Sequence, residues 1–337
     1  MRAYRLELVD KEGRSVLDAS GNKIFPLICL KDNGNYNPSA LQITFDINII
    51  DQDDFSSGAM LTIYGLPLSF IAQAVNLFGA KVKLFAGFVP GLPLTQGSEI
   101  GLIFSGEVWS AYANWEGVNQ SLNLIVNPLP YTDINNAPIS ISLNGKKGQK
   151  LSDVLLPALQ ASFKDKEIII NISDKLVLSE DWPTIVTSLS DLSMLLSRAT
   201  PGMTGDRNYQ GVSLLVQRGA IRLFDSSFIG TRRTVKLKDF VGQPTWLGYN
   251  YVSFKFVMNP NISVSDVLVI PPDINKGMTS ILSVGDGYQF LNKNNAITFT
   301  GEYRVQAVRH IGDFRNPSGE AWVTVVEATP FTNLDKT

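Results

Sequence analysis

The sequence predicts a mainly β protein with an α+β insertion, in which two β-barrel-like domains flank a small α/β unit. Three observations carry this expectation. Apolar and polar residues alternate strictly in several stretches of the first and last thirds, which is the period of a strand with one buried face. Clusters of Gly, Pro, Asn and Asp separate those stretches. Between them the apolar positions switch to helical spacing. At 337 residues the chain is longer than one core usually supports. The expected divisions are 1–135, 136–238 and 239–337.

In LQITFDINI, Leu41, Ile43, Phe45, Ile47 and Ile49 alternate with Gln42, Thr44, Asp46 and Asn48. DQDDFSSG supplies a turn before MLTIYGL, a second strand. A short helix is expected next, capped by Ser69, with Ile71, Ala72, Val75 and Phe78 at helical spacing and Gly79 as its stop. AKVKLFAGF places Val82, Leu84 and Ala86 on one face. IGLIFSGEVW and QSLNLIVNP follow, the latter with Leu122, Leu124 and Val126 alternating.

The middle third opens with KLSDVLLPALQASF, read as a helix capped by Ser152 with Leu151, Val154, Leu155 and Leu159 inward and bent at Pro157. KEIIINIS reads as a strand. EDWPTIVTSLSDLSMLLSRAT reads as a second helix with Ile185, Leu189, Leu192 and Leu196 in one stripe. VSLLVQ and AIRLFDS form a hairpin turning at Arg218 and Gly219. The last hundred residues return to strands in NYVSFKFVM, ISVSDVLVIP, ITFTGEYRVQAVRHI and AWVTVVEA.

Composition narrows the function. Hydrophobic residues make up 44% and charged residues 18%, the balance of a folded chain. The 29 basic and 31 acidic residues leave a net charge of -2, without the positive field that attracts nucleic acid or an anionic membrane. Cys29 is the one cysteine, so no intramolecular disulfide forms. MRAYRLELVDKEG lacks the apolar run of a secretory signal. The greasiest stretch is broken by Lys81, Lys83, Pro90 and Pro93, short of the roughly 18 apolar residues of a membrane helix. A soluble chain with no standard export signal is expected.

Candidate chemistry is sparse. His310 is the single histidine and Asp313 follows it. Alternation through the strand sets Tyr303, Val305, Ala307 and Ile311 on one face and Arg304, Gln306, Val308 and His310 on a polar one, just before the turn residues Gly312 and Asp313. A general base needs a partner in reach, and a hydrogen-bonded structural histidine is expected instead. Zinc calls for several Cys or His ligands. Asp51, Asp53 and Asp54 in DQDDF lack the glycine and closing glutamate of a calcium loop, so a solvated turn is expected. A carboxylate pair for sugar cleavage meets in space, not along the chain; Glu107 and Asp286 are arbitrary members of such a pair. Lys146, Lys147 and Lys150 read as a solvated face. No serine elbow, P-loop or dinucleotide fingerprint occurs. The expectation is no catalytic, cofactor-binding or metal residue, no cofactor, and interface residues that the sequence does not identify.

Three stretches together resemble the central hub proteins of phage tail baseplates, particularly of contractile tails, and the hub part of secretion-system tip proteins. The first is LQITFDINI, AMLTIYGLPLSFI, KVKLFAGF and IFSGEV in that order, similar to the family's N-terminal barrel. The second is INISDKLVLSEDW followed by an amphipathic helix. The third is LGYNYVSFKFVMNPNISVSDVLVI with EYRVQAVRHIGDFRNPSGEAWVTVVEA. Ser265 stands where the family pattern has glycine before Asp266, and the tip between Arg315 and Ala321 is slightly expanded.

The resemblance implies a structural virion protein with tail-tube-like barrels, made in the host bacterial cytoplasm and built into the tail baseplate. It implies a homotrimer presenting a pseudo-sixfold ring between a hexameric tail tube, or a tube initiator, and a trimeric cell-piercing spike. Tape-measure and baseplate wedge proteins are further partners it implies. DNA would pass through without being read, and no direct membrane insertion is implied. No spike-like repeats follow FTNLDKT, so the spike is expected as a separate chain. The alternative from a different class is a carbohydrate-active tail protein, either a glycan hydrolase or a glycan-binding module.

Overall fold

The computed structural model describes residues 1–31, 33–50, 58–89, 99–129, 137–206, 209–248, 250–271, 299 and 301–331. The first third forms β1 (Arg2–Val9), β2 (Leu27–Ile28), β3 (Gln42–Ile49), β4 (Gly58–Tyr64), α1 (Leu68–Ile71), β5 (Lys81–Phe88), β6 (Gly101–Glu116) and β7 (Asn119–Asn127). The middle forms β8 (Ile141–Gly145), α2 (Leu151–Ser162), β9 (Ile168–Asn171), β10 (Trp182–Val186), α3 (Leu189–Ala199), β11 (Ser213–Gln217) and β12 (Ala220–Phe224). The last third forms β13 (Arg232–Thr234), β14 (Thr245–Gly248), β15 (Tyr251–Val257), β16 (Val267–Ile270), β17 (Gly301–Asp313) and β18 (Trp322–Pro330).

The protein is mainly β with an α/β insertion. Among the described residues a 13-stranded sheet runs β14-β15-β18-β17-β3-β4-β7-β6-β5-β1-β2, with β16 joining β13 to β17. The two β regions are thus joined: β17 pairs antiparallel with β3, setting His310 opposite Ile47 and Asp313 opposite Thr44. The alternation of LQITFDINI has its physical counterpart here. Ile43, Phe45, Ile47 and Ile49 are buried, as are Leu122, Leu124 and Val126 on β7 and Val82, Leu84 and Ala86 on β5. One apolar cluster draws on both β regions, and a second fills the insertion.

In the insertion, α2 and α3 cover the β8–β10 pair and a three-stranded sheet in which β12 lies antiparallel to β11 and parallel to β9. Leu151, Leu155, Leu159, Leu192, Leu196, Leu214 and Ile221 form its centre. The β11–β12 turn has positive φ at Arg218 (55°) and Gly219 (84°), the geometry of a two-residue hairpin whose twist suits its strands.

Several expected elements differ. α1 starts after Pro67, not Ser69, and tightens into a 3-10 turn at Ala74–Leu77. That tightening takes Val75 and Phe78 off the helical stripe, and both are exposed. α2 begins after Lys150 rather than at Ser152 and runs through Pro157. The predicted second helix is split: Trp182–Val186 pairs with β8 as a strand, and only Leu189–Ala199 is helical, capped by Ser188. Ile185 is therefore exposed, while Leu189, Leu192 and Leu196 are buried as the stripe predicts. β6 continues seven residues past Trp109, where the sequence reading ended it.

Candidate assembly surface

β17 carries the residues that looked most chemical. A bulge between Val305 and Ala307 shifts the register against β18. Tyr303 and Val305 face the core before it, and Val308 and His310 after it. The expected polar face for His310 is thus corrected: the extra residue reverses the alternation. His310 is 1% exposed, between Ile47 and Thr324. Its Nδ1 lies 3.0 Å from Thr324 Oγ1. Burial, and secondarily the Arg218 charge, push its pKa down to about 3, so the ring is neutral at neutral pH.

Asp313 is on the opposite face. It pairs with Thr44 in the ladder, accepts from Gln42 Nε2 and accepts from Asn316 Nδ2 at 3.2 Å. Three residues along a strand reverse the side, so the sheet itself separates His310 from Asp313. Gly312 and Asp313 belong to the strand rather than the expected turn.

The other candidates are placed as follows. Cys29 is buried, its Sγ accepts from the Tyr4 N–H at 3.0 Å, and burial raises its thiol pKa. Lys146 and Lys150 reach Asp181 and Asp174, each at 2.9 Å, and the Lys147 N–H donates to Asp181. Glu107 is opposite Lys81 in the β5–β6 ladder; burial raises its pKa, and Lys166 from the insertion opposes that shift. Asp51, Asp53, Asp54 and Asp286 lie outside the described residues. Among the described residues no group of three or more His, Cys, Asp or Glu has metal-binding geometry.

Asp266 organises the junction of the insertion with the last β region. It accepts from Arg233 Nε at 2.7 Å, the Thr231 N–H at 2.9 Å and the Ser263 N–H at 3.0 Å. Arg304 crosses the same junction and donates to the carbonyls of Asp225, Ser226 and Phe228. Gln217 and Arg218 donate to the Ile262 carbonyl. These bonds fix the insertion against the sheet.

The surface offers a different kind of site. From β6 to β15 the sheet buries one face in the core, and its other face is open only in part, with Val323, Thr62 and Asn123 on it buried. In one ladder row Val323, Ile311, Asp46, Met60, Ile125 and Ser110 follow each other across six strands. The neighbouring row holds Asp313, Thr44, Thr62, Asn123 and Tyr112. Thr62 donates to Asn123 Oδ1 at 2.9 Å, and Arg309 pairs with Asp46. The far end of β6 presents Trp109, Tyr112 and Trp115, which are 50%, 44% and 65% exposed, beside Val118 at the hairpin tip. The sequence reading missed this surface. The visible signal was WSAYANWEGVNQ, large aromatics spaced through an otherwise strand-like run that ends in a Gly turn.

No protein-family model and no curated protein matches the chain. Among solved structures it is similar to the tail protein from Neisseria meningitidis MC58, at 7% identity and a TM-score of 0.51, over 98% of this chain and 96% of that one. It is also similar to the 43 kDa tail protein of prophage MuSo2 from Shewanella oneidensis, at 9% identity and TM-score 0.49, over 98% of each chain. A third is an E. coli component of the type VI secretion system, described as structurally similar to the T4 bacteriophage tail proteins gp27 and gp5. It has 8% identity and TM-score 0.47, over 88% of this chain and 76% of that one.

The chain shares the fold of the Neisseria tail protein from end to end.

Proposed function

We propose that the protein is a structural baseplate hub of a phage tail, a trimer whose pseudo-sixfold ring adapts a hexameric tail tube to a separate trimeric spike. The observation that carries this reading is the sheet running through both β regions. One of its faces is committed to the core, and the other bears Thr44, Asp46 and Arg309 open to solvent in part, beside the buried Thr62 and Asn123. A sheet with one face in the core and polar residues on the other walls a wet channel when copies are arranged around an axis. Strands from two β regions give each copy two similar positions in such a ring, which fits three chains to sixfold neighbours.

In this reading the division at 1–135, 136–238 and 239–337 separates two ring-forming regions from an insertion at the periphery. The chain is a virion component made in the host cytoplasm, with tape-measure and wedge proteins as further neighbours. The buried neutral His310 and the Asp-paired lysines suit a structural role. The test is mass measurement of the purified chain together with electron micrographs. A trimeric ring is expected; monomers alone at high concentration would sink the reading.

The exposed Trp115 and Tyr112 favour the second reading, a glycan-binding tail module, because aromatic faces stack on sugars. Glycan binding that Trp115→Ala abolishes, in a chain that never forms rings, would establish it instead.

A further inference from the structure

We infer that the seam between the insertion and the last β region holds a binding site for a small oxyanion of the phosphate class, with Arg218 and Arg222 as its cationic groups. The inference does not depend on the hub reading.

Arg222 reaches the seam by strand alternation. Ile221 and Leu223 on β12 enter the insertion's own core, so Arg222 stands on the opposite face. Its same-face neighbour Phe224 and its ladder partner Leu215 pack into the core of the β regions. Arg218 comes to the same place from the hairpin tip. Gln217 ties the two together: its Oε1 accepts from Arg222 Nη1 at 3.0 Å, and its Nε2 donates to the Ile262 carbonyl at 3.3 Å. That carbonyl also accepts from Arg218 Nη2 at 3.1 Å.

Charge is out of balance here. The guanidinium groups of Arg218, Arg222 and Arg233 all act on the single carboxylate of Asp266. That carboxylate is already committed, since Arg233 Nε and the Thr231 and Ser263 N–H groups donate to its two oxygens. Among the described residues, Arg218 and Arg222 donate only to the Ile262 carbonyl and the Gln217 amide oxygen, and neither forms an ion pair. A guanidinium has five N–H donors, so most of theirs are free.

Both side chains are partly buried, and burial lowers the pKa of each. A desolvated charge without a counter-ion is costly. A tetrahedral oxyanion answers the charge and the free donors together. The loop beside them adds an unused donor: the Ser265 hydroxyl is buried without a hydrogen-bond partner among the described residues. The partly buried setting and the chain's net charge of -2 favour a small free anion over a nucleic-acid backbone. Arg218 and Arg222 belong to the insertion, whereas Ile262 and Asp266 belong to the last β region. An anion held between them strengthens the seam.

Inorganic phosphate is the probe, at an ionic strength held constant with sodium chloride. The wild-type melting temperature should rise steadily with the logarithm of phosphate concentration. His310 is the single histidine and feels the Arg218 charge, so its imidazole resonances should move along a saturable curve with one phosphate per chain. Arg222→Gln removes a charge that has no ion pair, so in chloride it should melt at or above the wild-type temperature, and it should lose both responses to phosphate. Arg218→Gln, read by melting alone, repeats the test at the second group should the first variant fold poorly. No response in the wild type, or an equal response in the variants, would overturn the site. A thymidine oligonucleotide that moves the His310 resonances at lower concentration than phosphate would overturn the small-anion assignment in favour of nucleic acid. Ring formation is read in neither arm, so every outcome leaves the hub reading as it stands.

Discussion

Nδ1 of His310 and Oγ1 of Thr324 face each other at 3.0 Å across the β17–β18 ladder, both within the core. The threonine oxygen also accepts from the Asn259 N–H at 2.9 Å. The polar cluster is thereby closed on itself, with the imidazole neutral.

This pair makes stability depend on pH in a defined direction. The folded pKa of about 3 lies below the ordinary value of 6.5, so between those values the unfolded chain binds the extra proton. The contribution is complete above about pH 6.5 and is lost as pH falls toward 3, by at most ~1.4 kcal/mol per unit. His310→Gln should fold and assemble at pH 7. Its urea midpoint should fall less than the wild type's between pH 7 and pH 4.5. Equal falls in the two proteins would refute the assignment.

Much of this architecture was legible in the sequence, and the failures have physical causes. Alternation located β3, β5 and β7 because each has one face in the core. The Arg218–Gly219 turn was legible because positive φ selects residues locally. The joining of β17 to β3 was not, since it unites residues such as Arg309 and Asp46 that are 263 positions apart. A single bulged residue reversed the reading of His310. Ile185 continued a helical stripe on paper, yet pairing with β8 overrode that local pattern. The exposed aromatics of distal β6 escaped because exposure is a property of neighbours, which one segment does not encode.

Gly312 is fixed by a neighbour rather than by a turn. A Cβ there would lie 2.2 Å from Cζ of Phe45, the residue it opposes in the ladder. Phe45 is itself held edge-on against Trp322 at 5.1 Å between ring centroids, so the ring has little room to retreat. Gly312→Ala should cost about 1–3 kcal/mol by overpacking. A urea midpoint within error of the wild type would show that the ring moves freely.

Ser265 is the position where the hub pattern has glycine, and its backbone explains the difference. Its φ is +74°, a region that disfavours a side chain, and its buried Oγ has no hydrogen-bond partner among the described residues. Ser265→Gly removes both penalties and leaves the Asp266 bonds in place. Stabilisation of about 1 kcal/mol is expected, read as a higher urea midpoint with an unchanged slope. A destabilised variant would mean that the greater freedom of glycine in the unfolded chain outweighs the relief.

Trp322 ties the last β region to the first. Its Nε1 donates to the Gly87 carbonyl at 3.0 Å across 235 positions of sequence, and its ring meets Phe45 and Phe314 edge-on. The side chain is 1% exposed, so truncation opens a cavity where the two regions share their core. Trp322→Ala should cost about 3–5 kcal/mol. Trp322→Phe retains most of the apolar contact but strands the Gly87 carbonyl, for about 1–2 kcal/mol. Because one apolar cluster serves both β regions, the Ala variant should destabilise them together, in one transition seen by near- and far-ultraviolet circular dichroism alike. An early transition confined to one region would show that the two β regions fold independently and that Trp322 merely rests between them.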